Sequence, residues 1–302
     1  ISSMATAYVA FFLSGCAVGL QPLPDTVQEQ INDAVDQGMD GVIVCVNRPD
    51  DIQLYAAGWK NREDQVPADP HALFKIASIS KLYIAAATTR LIADEKLSLD
   101  KTLAEYLPEV AGRIEFADQI TLKMMLQHRS GILDYGFEPE IDGETFDDYL
   151  SFAARIYDKP AVFKPNKKYR YSNTNYLLIG EIIDRTLGYS HHIYIRDELL
   201  TPLGLSNTYN VSGEVDMKEV MSGYLKGWEP DVKDWEFPLP GGSMIATAED
   251  VSVFLRALID GSLLSPEEQA IYTSVYPYEH TGWLPGYTSI ARYHPDIDAV
   301  VV

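Results

Sequence analysis

Phe74-Lys75-Ile76-Ala77-Ser78-Ile79-Ser80-Lys81 sets a hydroxyl and an amine one helical turn apart. The run before Ser78 is mostly apolar, and Tyr83-Ile84-Ala85-Ala86-Ala87 after it is rich in helix formers. Ser78 is therefore expected at or near a helix N-terminus, with Lys81 on the same face. A serine is a poor nucleophile until something takes its proton. A lysine beside it can do so if burial or neighbouring charge lowers the amine's pKa. The positive end of the helix dipole also favours negative charge developing near Ser78. The pattern alone is weak, since S-x-x-K is expected about once by chance in a chain of this length. A second copy, Ser98-Leu99-Asp100-Lys101, follows the polar Asp94-Glu95-Lys96, where Ser or Asp caps or turns the backbone.

Composition narrows the classes. At 302 residues, with 46% hydrophobic and 11% aromatic content, the chain can bury a full globular core. It carries 24 basic against 44 acidic residues, a net charge of −20. Such a surface repels phosphate backbones, so nucleic acid is excluded as a partner. Of the two cysteines, Cys45 sits in the apolar Val42-Ile43-Val44-Cys45-Val46, which reads as a buried strand with an inert thiol. No H-E-x-x-H or C-x-x-C occurs, and neither metal nor cofactor is expected. Residues 1–20 read as a leader. Met4 to Leu13 is apolar but too short to span a bilayer, and Leu13-Ser14-Gly15-Cys16 resembles the lipobox of bacterial lipoproteins. That reading implies export to the bacterial envelope, periplasmic or tethered by lipid at Cys16. An ordinary apolar N-terminal segment is the alternative.

Along the chain, Asp25 to Met39 has helical periodicity, and strand-like Gly41–Asn47 and Ile52–Trp59 flank the hairpin residues Arg48-Pro49-Asp50-Asp51. Helical patterns then dominate: Ser78–Asp94, Thr121–His128, Phe146–Tyr157, Thr174–Leu187 stopped by Gly188, and Ala248–Ile259 before Gly261. Strands return at Thr281–Gly282, Tyr287–Tyr293 and Ile297–Val302. Strands at both ends with helices between predict one sheet built from the two termini, with a helical region inserted. The boundaries read as a sheet subdomain over about 25–75 and 240–302, and a helical one over about 76–239. The chain stops at Val302 inside an apolar strand, which reads as a truncated C-terminus.

Two further motifs decide between the S-x-x-K copies. Tyr171-Ser172-Asn173 stands just before a helix, and His280-Thr281-Gly282-Trp283 lies further on. Alone, Ser172 or Asn173 is a good N-cap, Tyr171 is ordinary packing and His-Thr-Gly is a turn. Each pattern occurs once, and they follow Ser78 in order. With the nucleophile segment, they make the chain resemble the penicillin-recognising serine hydrolases. These are the class C β-lactamases, serine D-alanyl-D-alanine carboxypeptidases and their esterase relatives. Gln127-His128-Arg129-Ser130-Gly131, and Pro240-Gly241-Gly242-Ser243-Met244 before Thr247-Ala248-Glu249-Asp250, are similar to further stretches of that family.

The resemblance implies a three-layer α/β/α sandwich with a mainly antiparallel sheet plus an all-helical subdomain. It implies that Ser78 attacks a carbonyl to form an acyl-enzyme, while Lys81 and Tyr171 share the proton work, either being the base. Asn173 would hold Lys81 and the substrate. The backbone N–H groups of Ser78 and Trp283 would form the oxyanion hole, and His280, Thr281 and Gly282 would line the opposite wall. His128 is read as structural. The substrate would be a small molecule or peptide: an acyl-D-Ala-D-Ala peptide, a β-lactam or an ester.

His280 stands where most β-lactamases have lysine, and a histidine holds a carboxylate less firmly. Trp283 stands where penicillin-processing members often have Ser or Thr. His-Thr-Gly is similar to the carboxypeptidase branch, while Trp283 shifts some weight from D-Ala-D-Ala peptides towards esters or other amides. The expected activity is that of a D-Ala-D-Ala carboxypeptidase-like or β-lactamase-related hydrolase, with a carboxylesterase of the same fold as the alternative. An α/β-hydrolase would need G-x-S-x-G, which is absent. A binding protein that had kept only the fold would be expected to lose Ser78, Lys81 or Tyr171, and all three are present.

Overall fold

The computed structural model describes residues 24–136, 148–228 and 230–302. Cys16 and the leader lie outside them. The helices are α1 (Val27–Asp36), α2 (Ser80–Ala93), α3 (Leu103–Tyr106), α4 (Leu122–Leu126), α5 (Tyr149–Ala153), α6 (Asn173–Leu187), α7 (His191–Tyr194), α8 (Ala248–Asp260) and α9 (Pro266–Val275). The strands are β1 (Gly41–Arg48), β2 (Asp51–Asn61), β3 (Val66–Pro67), β4 (Phe74–Lys75), β5 (Thr208–Tyr209), β6 (Ile245–Ala246), β7 (Glu279–Leu284), β8 (Tyr287–His294) and β9 (Ala299–Val301).

The main sheet has the order β3-β2-β1-β9-β8-β7, and every pairing in it is antiparallel. Its N- and C-terminal strands meet where Val46 pairs with Val301. This is the mixed α/β architecture with an antiparallel sheet that the sequence predicts. Pro49 and Asp50 make the tight turn between β1 and β2, closed by the pair Arg48 and Asp51. Cys45 and Asn47 both hydrogen-bond with Ser252 of α8, so alternate β1 side chains face that helix. Val46, buried between them, faces the other way.

Helix ends follow their caps. Thr26 and Glu29 form a capping box on α1, and Thr247 caps α8 by accepting the Asp250 N–H. Gly188 and Gly261 end α6 and α8 in the left-handed region, at φ +76° and +85°. The helix α2 is buried on nearly all sides, with Leu82, Tyr83, Ala86 and Leu91 fully enclosed, as befits a central helix. It therefore presents its N-terminal residues from a fixed base.

Two elements depart from the sequence reading. A second sheet, β4-β6-β5, ties the strand before Ser78 to Ile245–Ala246 and to Thr208–Tyr209. The strand β5 thus falls inside the stretch read as helical. Helix α9 occupies a stretch to which the sequence reading assigns no element, with Ser265 and Glu268 as a capping box and Pro266 at its first position.

Candidate functional site

The nucleophile segment is a strained turn. Ala77 has φ +52°, a left-handed conformation costly for a residue with a Cβ, on the order of 1–3 kcal/mol. Several bonds hold it there. Ser80 Oγ donates to the Ala77 carbonyl at 2.6 Å and accepts the Met244 N–H at 3.2 Å. The Ile76 N–H donates to the Met244 carbonyl at 3.0 Å, and Ser289 Oγ donates to the Ile76 carbonyl at 3.2 Å. A short 3-10 turn, Ala77–Ile79, then leads into α2, so Ser78 sits half-buried at the start of the helical run.

Lys81 is buried and points back at Ser78. Its Nζ lies 3.1 Å from Ser78 Oγ, 3.0 Å from Asn173 Oδ1 and 2.7 Å from the Gly241 carbonyl oxygen. Those three acceptors match the three protons of an ammonium. The carbonyl of Gly241 can only accept. Asn173 Nδ2 donates to Asp134 Oδ2 at 3.3 Å, which leaves Oδ1, an acceptor, facing Lys81. Ser78 is the one partner of the three that can also donate. A neutral Lys81 must therefore aim its lone pair at the Ser78 hydroxyl. Burial lowers the Lys81 ammonium to about 7, the negative charge of Asp134 opposing the shift.

Tyr171 O–H donates to Ser78 Oγ at 2.8 Å from the other side, and the Lys81 ammonium lies 5.1 Å from its ring centroid. Burial pushes the Tyr171 phenol up, with the Ser78 hydrogen bond opposing, so the phenol keeps its proton near neutrality. His128 supports this tyrosine. Its ring stacks on Tyr171 at 4.4 Å between centroids, and its Nδ1 accepts the Ser172 N–H at 3.2 Å. Its carbonyl accepts the Arg170 N–H at 2.9 Å, so the contacts bracket Tyr171. Burial, then the charge of Lys81, lowers His128 to about 3 and keeps its ring neutral.

Gly282 brings β7, the edge strand, against this turn. A Cβ at position 282 would fall on the Ile76 carbonyl and Ser289 Oγ and stand 3.1 Å from Ala77 Cβ. Only glycine lets the two backbones approach so closely. Trp283 follows with its side chain 53% exposed. His280 is half-buried, with its ring parallel to Tyr276 at 6.0 Å and 6.0 Å from Tyr171. Its Nδ1 donates to the Thr281 carbonyl, and burial lowers it to about 4.

The sequence-predicted residues thus converge: Ser78, Lys81, Tyr171 and Asn173 are bonded in one cluster, and His280, Thr281 and Gly282 border it. Asp134 belongs to the cluster too, and nothing in its spacing signalled it. A cavity of about 490 Å³ opens beside Tyr171 and is lined by Tyr169, Tyr276, His128, His280 and Thr281 among others. The cation in its lining is Arg292, which Glu279 holds at 2.6 Å. Among the described residues no group of three or more His, Cys, Asp or Glu is placed to hold a metal ion.

The beta-lactamase family model matches residues 26–276. The penicillin-binding protein 4 of Amycolatopsis lactamdurans is 28% identical over 229 residues, 73% of this chain and 59% of the relative. A beta-lactamase of Pseudomonas fluorescens is 29% identical over 196 residues, 64% of this chain and 52% of the relative. The chain thus spans little more than half the length of these curated relatives. The D-amino acid amidase of Ochrobactrum anthropi SV3, solved with L-phenylalanine amide, superposes with a TM-score of 0.80 at 25% identity, covering 91% of this chain and 88% of that one.

Proposed function

The chain belongs to the beta-lactamase family, and from that premise we propose that it is a serine hydrolase forming an acyl-enzyme on Ser78. The observation that carries this is the aim of Lys81, whose buried amine has Ser78 as its one partner able to give a proton. Neutral Lys81 takes the Ser78 proton as Oγ attacks the substrate carbonyl. The Ser78 and Trp283 backbone N–H groups hold the oxyanion, where one such donor contributes about 3–4 kcal/mol. The amide nitrogen or ester oxygen leaves with a proton passed from Lys81 through Tyr171. Water then attacks the acyl carbonyl, gives its proton to the same pair and releases the acid.

The substrates are small amides and esters without a free carboxylate. His280 is neutral near pH 7, and Arg292 is already paired, so among the described residues the cavity lining offers a carboxylate no spare positive charge. The tyrosines in its lining, Tyr169, Tyr171 and Tyr276, suit a ring or branched apolar group. Likeness to a D-amino acid amidase supports a D-aminoacyl amide. A second reading, D-Ala-D-Ala carboxypeptidase or β-lactam hydrolysis, is favoured by the relatives named penicillin-binding protein and beta-lactamase. The Leu13–Cys16 pattern supports a lipid tether at the bacterial envelope as part of the proposal.

One panel separates these: D-phenylalanine amide, a p-nitrophenyl ester, an N-acyl-D-Ala-D-Ala peptide and a penicillin. The first reading expects kcat/KM for the amide and the ester at least about tenfold above the peptide, a difference of roughly 1.4 kcal/mol. The opposite order, with a penicillin adduct, establishes the second. No turnover and no mass adduct with any of the four overturns both.

A further inference from the structure

We propose that Asp134 is a positioning residue that sets the direction of Lys81 through Asn173 and holds its ammonium by direct charge. The inference rests on Ser78 and Lys81 being the reacting pair.

The geometry runs through three residues. Asp134 Oδ1 accepts the backbone N–H of Asn173, the first residue of α6, at 3.1 Å. Its Oδ2 accepts Asn173 Nδ2 at 3.3 Å. Ser172, the N-cap by position, makes no capping hydrogen bond with its side chain, so Asp134 supplies a bond to the helix from outside. The two bonds fix the Asn173 amide in one orientation, because a carboxylate accepts and never donates. Asn173 Oδ1 then faces Lys81 Nζ at 3.0 Å, and together with the Gly241 carbonyl it claims two of the amine's protons. Were the amide turned over, its NH₂ would face the amine, and Lys81 would direct its lone pair there instead of at Ser78.

Charge acts in the same direction. Around Lys81 stand Tyr171 and Tyr176, both held as neutral phenols by burial, and His128 and His280, both held as neutral rings. Asp134 is the carboxylate that opposes the desolvation of the amine. Without it the ammonium would be disfavoured further.

The test is the pH dependence of acylation by a p-nitrophenyl ester in wild type, Asp134→Asn and Asn173→Ala. In Asp134→Asn one of the two Asn173 donors faces an NH₂ group and the charge is gone. The expected result is a 10- to 100-fold slower acylation together with an acid limb moved at least half a pH unit lower. The loss of rate in Asp134→Asn should largely vanish on the Asn173→Ala background, since the intermediary is missing, whereas the limb shift, which acts through space, should persist. If Asp134→Asn does not fold, Asp134→Ser keeps an acceptor near the α6 N–H and removes the charge, and the same limb shift is expected. A slower rate with an unmoved limb, or an undiminished loss of rate in the double variant, reduces Asp134 to a helix support and overturns the proposal. An ester that acylates Ser78→Ala as fast as wild type would instead overturn the underlying reading of Ser78.

Discussion

The two S-x-x-K segments of this chain are the same pattern in different surroundings. Ser78 lies in a turn clamped by Ser80, Met244 and Ser289, and Lys81 is enclosed by acceptors from α6 and the Gly241 turn. Ser98 belongs to a surface turn: its Oγ accepts the Asp100 N–H, and its N–H donates to Tyr106 Oη. Lys101 rests on the Tyr106 ring at 4.4 Å. The difference teaches that the reactive copy is made by partners distant in sequence.

Burial is not sufficient either. Lys75, three residues before Ser78, is also buried, though less completely than Lys81, and burial lowers it to about 8. It faces away from Ser78: its Nζ donates to the Trp235 carbonyl and lies 5.6 and 5.8 Å from the Phe237 and Tyr287 rings. Direction separates the two buried lysines.

Substitutions can break this comparison, starting with the most severe. Ser78→Ala should abolish acylation while Ser98→Ala leaves it intact, read by intact mass after reaction with a p-nitrophenyl ester. Lys81→Met should slow acylation by about 10²–10⁴-fold, the span of a general base. The wild-type rate should also rise with pH through about 7, because the amine must lose its proton to act, and Lys81→Met should lose that limb. Gly282→Ala must push β7 off the Ile76–Ala77 backbone and misplace an oxyanion donor, for about a 10²–10³-fold loss in kcat. Lys75→Met should stay within about tenfold of wild type with its acid limb unmoved, the loss arising from packing, which is worth about 1.4 kcal/mol at that limit. Lys101→Met should be within about twofold, as for an exposed substitution.

Much of the fold was legible because its signals are local. Gly188 and Gly261 mark helix ends, Pro49-Asp50 marks the hairpin, and the apolar run around Cys45 marks a central strand. Helix α9 carried an equally local signal in Ser265-Pro266-Glu267-Glu268, which the reading passed over. The strand β7 runs over Glu279–Leu284, longer than Thr281–Gly282, because a His-Thr-Gly segment looks like a turn until its partner β8 is known. The expected helix over Phe146–Tyr157 is α5 followed by a 3-10 turn at Ala154–Ile156, with Phe146 outside the described residues. Two-residue strands such as β4, β5 and β6 have no periodicity to read. The candidate site was legible where motifs repeat a known pattern, as at Ser78, Tyr171 and His280. Asp134 is one acid among many in an acidic chain, and only the tertiary fold sets it against Asn173. His128, read as structural, stacks on the Tyr171 ring and so supports the cluster from behind.

The most direct test of the central claim is peptide mapping of the acyl adduct. The protein would be quenched in acid within the first turnover of a p-nitrophenyl ester, digested, and the modified peptide sequenced by tandem mass spectrometry. The account predicts a single acyl group on Ser78, in the peptide that also carries Lys81. An adduct on Ser98 or on any other residue, with Ser78 unmodified, would contradict it.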